Sequence, residues 1–276
     1  MKLAYSSNAY MKFPIDETIR RIAALGYHGI ELMADAPHLW PPETDDADIS
    51  RIRGLLDTHG LVISNVNAFM MNAVGDFWHP SWIEPDPALR RKRVQHTIDS
   101  LSMAKRLGAV CITTEPGGPL PQRGGWAEAM DMFVEGLNEA LSHAETLGVG
   151  LLVEPEPELL IENVEQVLEL ARRIESPMFG INFDIGHLFC VGEPLADAVL
   201  QLRNLTRHYH VEDIAASRVH EHLIPGRGAI DFASVIEAIK ETGYDGWLTV
   251  ELYPYGDDPD GAGREAMRHL AGMVGK

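Results

Sequence analysis

"TLGVGLLVEPEP", residues 146–157, joins the end of one structural element to the whole of the next. Gly148 follows a long amphipathic run and reads as a helix stop, and the apolar residues from Val149 to Val153 read as a buried strand. Pro155 and Pro157 have no amide hydrogen to give a sheet ladder, so pairing ends there and Glu154 takes the last ordered position of the strand. Glu154 is therefore expected at a rim between core and solvent. Taken alone, acids spaced by prolines also describe a solvated turn.

The same unit of helix, glycine, short apolar run and polar end recurs along the chain. It is visible in "ALGYHGIEL" (24–32), "THGLVISNVN" (58–67), "RLGAVCITTEP" (106–116) and "TGYDGWLTVEL" (242–252). Three more strand-like runs, "KLAYSS" (2–7), "FGINFDIGH" (179–187) and "RHYHVED" (207–213), bring the total to eight. Amphipathic stretches at 16–25, 45–59, 88–107, 126–147, 162–175, 194–206, 231–242 and 260–273 supply the intervening helices. Strands separated by helices run parallel, and eight such units close into a (β/α)8 TIM barrel. An open doubly wound sheet would more often carry a glycine-rich phosphate turn after its first strand, and none is present. With no Ser- or Gly-rich linker, residues 1–276 are expected to form one α/β domain.

Composition narrows the partners. A formal charge of −18 repels polyanions, so neither nucleic acid nor an anionic membrane is expected to bind. Cys111 and Cys190 are too few for a disulfide framework, no stretch is long and apolar enough to span a bilayer, and a cytoplasmic setting is expected. The long connections at 33–44 and 70–87 carry Trp40, Met70, Met71, Phe77, Trp78 and Trp82; they are read as packing over the barrel end or as lids. Arg123, Arg218 and Arg227 lie in loops without forming a basic cluster, which favours an unphosphorylated substrate.

In such a barrel the C-terminal strand ends open on one face, where residues distant in sequence converge. Glu154 ends the fifth strand, Asp184 the sixth, His210 lies in the seventh and Glu251 ends the eighth. Barrel-facing positions are usually Val, Ile or Leu, so four consecutive strands carrying metal-competent side chains point to a metal centre. Three carboxylates and one imidazole suit Mn²⁺ first, then Mg²⁺ or Co²⁺, in preference to structural zinc. Four protein ligands leave two positions of an octahedral ion for the adjacent oxygens of a hydroxy-carbonyl compound. No organic cofactor is expected.

These residues resemble the xylose isomerase-like barrels, a family that includes ketose 3-epimerases, hydroxypyruvate isomerases, inosose dehydratases and apurinic endonucleases. The Glu of "VEPEP", the Asp of "FDIGH", the His of "HVED" and the Glu of "VEL" match that family's metal quartet in order and spacing. The resemblance implies a sugar isomerase or epimerase working through a metal-stabilised enediolate, with Glu154 and Glu251 as the acid/base pair. It also implies a small carbohydrate or polyol as substrate and a homodimer or homotetramer. The same enolate expelling a β-substituent would make the protein a lyase or dehydratase.

Other residues have more than one reading. The resemblance makes His187 a substrate contact or further metal ligand, whereas a helix-start histidine satisfying a nearby carbonyl is the plainer account. "RVHEHLIPGRGAIDF" (218–232) is similar to the family's loop after the seventh strand, but His222 stands where the ketose epimerases carry a substrate-binding Arg, and Arg218 lies upstream. Apurinic endonucleases place Asp-x-His at the position of His220-Glu221-His222. A second metal held by His220 and His222, with Glu115 of "TTEPGG", is therefore the alternative, and would mean phosphoester hydrolysis. Glu156 is read as a substrate contact or loop acid, Glu158 as solvated and Glu162 as a helix cap. Glu31, Asn65 and Asn67 are expected to line the sugar pocket, with Met70 and Trp78 as its apolar wall.

Overall fold

The computed structural model describes residues 1–72, 78–120 and 125–274. Eight strands close a barrel in sequence order: β1 (Lys2–Ser6), β2 (Gly29–Met33), β3 (Val62–Asn67), β4 (Cys111–Thr114), β5 (Gly150–Val153), β6 (Phe179–Asp184), β7 (Thr206–Val211) and β8 (Trp247–Val250). Every neighbouring pair is parallel, including β1 with β8 across the seam. The intervening helices are α1 (Ile15–Ala24), α2 (Asp46–His59), α3 (Pro87–Leu107), α4 (Trp126–Leu147), α5 (Val164–Ala171), α6 (Ile185–Cys190), α7 (Leu195–Leu202), α8 (Phe232–Glu241) and α9 (Pro259–Val274). The expected (β/α)8 architecture is present. The chain adds the six-residue α6 directly after β6, where the sequence had suggested only a helix-start histidine. As read from the sequence, Gly60, Gly108 and Gly148 stop α2, α3 and α4 in the left-handed conformation. Among the described residues no helix is long and apolar enough to cross a membrane.

Alternation along the strands separates two environments. Ile30, Leu32, Phe183, Tyr209, Val211, Leu248 and Val250 join the hydrophobic cluster shared with the surrounding helices. The intervening positions are polar, where aliphatic filling was expected. Inside the barrel Asn182 Oδ1 lies 2.9 Å from His208 Nδ1, His208 Nε2 2.8 Å from Thr249 Oγ1, and Thr249 Oγ1 3.1 Å from Ser64 Oγ. Two irregularities in pairing help to place these groups. The β2–β3 register shifts at Ile30/Glu31 and sets Glu31 beside Asn65, and the β6–β7 register shifts at Ile181/Asn182 and sets Asn182 beside His208. Buried polar side chains are tolerated because neighbours satisfy them.

A fully buried arginine of α3 ties down the described residues on either side of the segment after β3. Arg93 donates to the carbonyls of Phe69 at 2.6 Å, Pro80 at 3.0 Å and Ala68 at 3.3 Å. Trp82 packs edge-on against Phe133 and donates its indole N–H to Thr114 Oγ1 at 3.1 Å. Of the aromatic residues in this connection, Trp82 is therefore core packing, while Phe77 lies outside the described residues. Trp40, in the connection after β2, stacks on His96 of α3 with ring centroids 5.1 Å apart.

Candidate metal centre and active site

Glu154, Asp184, His210 and Glu251 come together at the C-terminal end of β5 to β8, with one ligand atom from each lying within 4.8 Å of the others. All four are buried. The prolines end β5 at Val153, leaving Glu154 immediately beyond it, and Glu251 occupies the equivalent place after β8. Asp184 caps α6 by accepting the amide of His187 at Oδ1, 2.7 Å away, while its Oδ2 has no hydrogen-bond partner. His210 Nδ1 lies 2.9 Å from Glu154, 3.6 Å from Glu251 and 3.8 Å from Asp184. Glu251 also accepts a hydrogen bond from the Asn8 side chain at 2.8 Å. Asn8 had no reading in the sequence, because it lies in a short turn after β1 and carries no charge.

The electrostatics are those of acids gathered out of water. Burial raises the Glu154, Glu251 and Glu156 carboxyls above their ordinary range, against the pull of His210 on Glu154 and Glu251, and repulsion from neighbouring carboxylates adds to it. Burial alone would lower the His210 imidazole, but Glu154, Glu31 and Glu251 together lift it well above the usual histidine range. Asp184 is also opposed by burial, yet His187 and the other nearby histidines hold it below the normal carboxylate range. An excess of negative charge focused on one small volume is the condition that a divalent cation relieves. Three carboxylate oxygens and one imidazole nitrogen, with the orphaned Asp184 Oδ2 among them, fit such an ion.

The mouth above the quartet is lined by Asn67, Phe69, Met70, Glu156, His187, His220, His222 and Tyr253. His187 donates Nδ1–H to the Pro155 carbonyl at 3.0 Å, so the plainer reading of this residue holds for one ring nitrogen, while Nε2 has no hydrogen bond among the described residues. His222 likewise donates Nδ1–H to the Glu251 carbonyl at 3.1 Å. His220 Nε2 lies 3.1 Å from His222 Nε2, and the three imidazoles form a second cluster of ligand atoms within 4.8 Å of one another. Burial lowers the His187 pKa to about 3 and the His222 pKa to about 4, which keeps both neutral at physiological pH.

The loop that carries His220 and His222 is organised by one side chain. Asp213 Oδ1 accepts the amides of Ile214 and Ile230, and its Oδ2 those of Gly226 and Gly228, at 2.8 to 3.1 Å. A Cβ at Gly228 would lie 2.3 Å from Asp213 Oδ1, so this close approach requires glycine.

Several other expected site residues stand elsewhere. Glu115 belongs to none of the metal-competent groups found among the described residues; it accepts the Trp82 amide at 3.1 Å and sits 3.6 Å from Arg93. A buried arginine needs a nearby counter-charge, which explains an acid at this position. Arg218 is exposed, with its guanidinium over the Phe189 ring at 4.9 Å, and Arg227 is paired with Glu265. Arg123 lies outside the described residues. Glu31 and Asn65 lie inside the barrel beneath the quartet instead of in the mouth, because the bulge in β2–β3 turns them toward His210. Trp78 is not among the residues lining the mouth, whereas Phe69 is. Glu158 is exposed, and Asn163, not Glu162, caps α5.

Comparison with known proteins agrees with this geometry. The chain is 26% identical over 285 residues to fructoselysine 3-epimerase of Escherichia coli O157:H7, covering 99% of this chain and 98% of that protein. A D-tagatose 3-epimerase-like protein superposes over 100% of both chains with a TM-score of 0.82 and 25% identity. The IOLI protein, solved with a binding zinc atom, has the same fold, with a TM-score of 0.82 and 20% identity over 99% of this chain and 98% of its own. The sequence model of the xylose isomerase-like TIM barrel family matches residues 19–273, and the chain belongs to that family.

Proposed function

We propose that the protein is a divalent-metal-dependent isomerase or epimerase of a ketose or related hydroxy-carbonyl compound, built as one barrel domain. The observation that carries this reading is the convergence of Glu154, Asp184, His210 and Glu251 on one point at the mouth of the barrel. Glu154, Asp184, His210 and Glu251 would hold the ion, with Mn²⁺ favoured and Mg²⁺ or Co²⁺ as alternatives. The bound cation supplies Lewis-acid polarisation of the substrate carbonyl and charge stabilisation as the adjacent carbon is deprotonated.

The remaining work belongs to the chain. Glu154 and Glu251 approach from β5 and β8, and one takes the proton from carbon while the other returns it. Return at the same carbon from the opposite face gives epimerisation; a single acid returning the proton to the neighbouring carbon would instead give aldose–ketose isomerisation. Asn8 orients Glu251 through its 2.8 Å hydrogen bond. Asn67, Glu156, His187 and His220 present polar groups to substrate hydroxyls, and Phe69, Met70 and Tyr253 pack against its carbon skeleton. No Lys or Arg is among the described residues lining the mouth, which favours an uncharged substrate over a sugar phosphate. The relationship to fructoselysine 3-epimerase and to the D-tagatose 3-epimerase-like protein supports the isomerase class.

A second reading rests on the His187–His220–His222 cluster, which has the donors for a second cation and would suit hydrolytic chemistry. Metal analysis of the purified chain separates the two. The epimerase reading expects one divalent ion per chain and, with a panel of ketoses in D₂O, solvent deuterium entering next to the carbonyl. Two ions per chain with no exchange into any ketose would sink it. Exchange accompanied by loss of a substituent would identify a lyase acting through the same enolate.

A further inference from the structure

His210 is held from both sides. Its Nδ1 faces the other three members of the quartet, with Glu154 at 2.9 Å, while its Nε2 lies 2.7 Å from Oε2 of Glu31 on the opposite side of the ring. Glu31 is fully buried and does not line the mouth, so substrate cannot reach it. It is in turn fixed by Asn65, whose side-chain amide donates to the same Oε2 at 2.8 Å and to Thr113 Oγ1 at 2.7 Å. The register shift at Ile30/Glu31 puts this carboxylate and Asn65 side by side beneath the quartet.

An imidazole can offer a lone pair to a metal through only one nitrogen when the other carries its proton, and the partner of the protonated nitrogen decides which is which. A carboxylate behind a ligating histidine also keeps the ring from rotating and makes it a better donor. We propose that Glu31 is a positioning residue of the metal centre: by accepting the Nε2–H of His210 it reserves Nδ1 for the cation and fixes the plane of the ring. This inference rests on reading the quartet as a metal centre. The Glu31–Asn65–Thr113 chain explains why the barrel interior is polar at this level when apolar filling would be simpler.

The test uses the full chain with Zn²⁺ as a diamagnetic probe, comparing the wild type with Glu31→Gln and Glu31→Asp. Zn²⁺ affinity is measured by competition with a chromophoric chelator, thermal stability is measured on the metal-free proteins, and ¹⁵N ring shifts assign the His210 nitrogens in the Zn²⁺-loaded wild type. The expected result is metal at Nδ1 and a proton on Nε2. Zn²⁺ should bind about 10- to 100-fold more weakly to Glu31→Gln, with Glu31→Asp between, and the metal-free melting temperature should change little.

A wild type that binds no Zn²⁺ would refute the metal-centre reading and this inference with it. A wild type that binds, joined with unchanged affinity in both variants, would overturn the role of Glu31 alone. So would a loaded protein in which Nε2 carries the metal. A purely structural Glu31 would lower the metal-free melting temperature and leave Zn²⁺ affinity as it was. If Glu31→Gln does not fold, the ring assignment in the wild type and the affinity of Glu31→Asp still decide.

Discussion

Asn8 and Glu251 are joined by a 2.8 Å hydrogen bond, although 243 residues separate them in sequence. The contact crosses the seam where β1 closes on β8, so the first turn of the chain orients an acid at the end of its last strand. A hydrogen bond to an ionised group contributes about 1.5–3 kcal/mol. Asn8→Ala is expected to slow deuterium exchange into a ketose substrate by about tenfold or more, with little change in substrate affinity. Steady-state kinetics with separate kcat and KM values check this; a change confined to KM would contradict it.

Glu154→Gln and Glu251→Gln retain the shape of the side chain and remove the base. Each is expected to lower solvent exchange at the substrate carbon by about 10²- to 10⁴-fold while the circular dichroism spectrum stays native. Retained exchange in either variant removes that residue from the acid/base pair.

Chelation followed by gel filtration is expected to abolish exchange, and added Mn²⁺ or Co²⁺ to restore it. Metal uptake is also expected to release protons, because burial raises the Glu154 and Glu251 carboxyls and the carboxylates around His210 raise its imidazole, whereas a cation binds the deprotonated forms. Calorimetry in buffers of different ionisation enthalpy measures that release. Its absence would mean that the ligands are already deprotonated in the free protein.

Gly186 lies in α6, next to His187, and a Cβ placed there would come within 1.9 Å of Glu212 Oε1 and 3.0 Å of Ile214 Cγ1. Glu212 is fully buried and crowded against Asp184, His222 and Glu251, which leaves it little room to withdraw. Gly186→Ala is expected to cost about 1–3 kcal/mol by overpacking. Denaturant unfolding measures the loss, and Gly186→Ala combined with Glu212→Ala should recover part of it.

His96 predicts an acid limit to stability that is independent of the active site. Burial, followed by the charge of Arg93, pushes its pKa down to about 3. In the unfolded chain a histidine takes up a proton near pH 6.5, while the folded protein resists protonation until about pH 3. The unfolded state therefore binds more protons throughout that window. The contribution is complete above pH 6.5 and is lost as the pH falls toward 3. Between pH 7 and pH 5 this group alone removes about 2 kcal/mol. His96→Phe should show a correspondingly smaller drop in unfolding free energy over the same interval, and an equal drop would assign the acid sensitivity elsewhere.

The convergence of Glu154, Asp184, His210 and Glu251 was legible because each lies at or near the end of an apolar run, where chain direction alone fixes its place in a parallel barrel. The lumen was not. "GIELM" and "VISNVN" read as ordinary strands, and the bulge that turns Glu31 and Asn65 toward His210 is a property of pairing between strands, which neither segment contains by itself. Arg93 was invisible for a related reason: "RRKRV" reads as a solvated helix face, and only the carbonyls of the β3–α3 connection reveal why one of its cations is buried. Glu115 is read differently once the fold is known. Its position after a strand suggested a ligand, but its charge balances that same arginine.

The four amides gathered by Asp213 give the loop after β7 a single anchor. Residues 214 and 230 are pinned to the same carboxylate, so the intervening segment leaves the barrel and returns at one anchor point. The path of the stretch bearing His220 and His222 is therefore set at both ends by one carboxylate. Substitutions between residues 215 and 219 are thus expected to leave the four hydrogen bonds of Asp213 in place, whereas a change at His222 reaches Glu251 through its carbonyl.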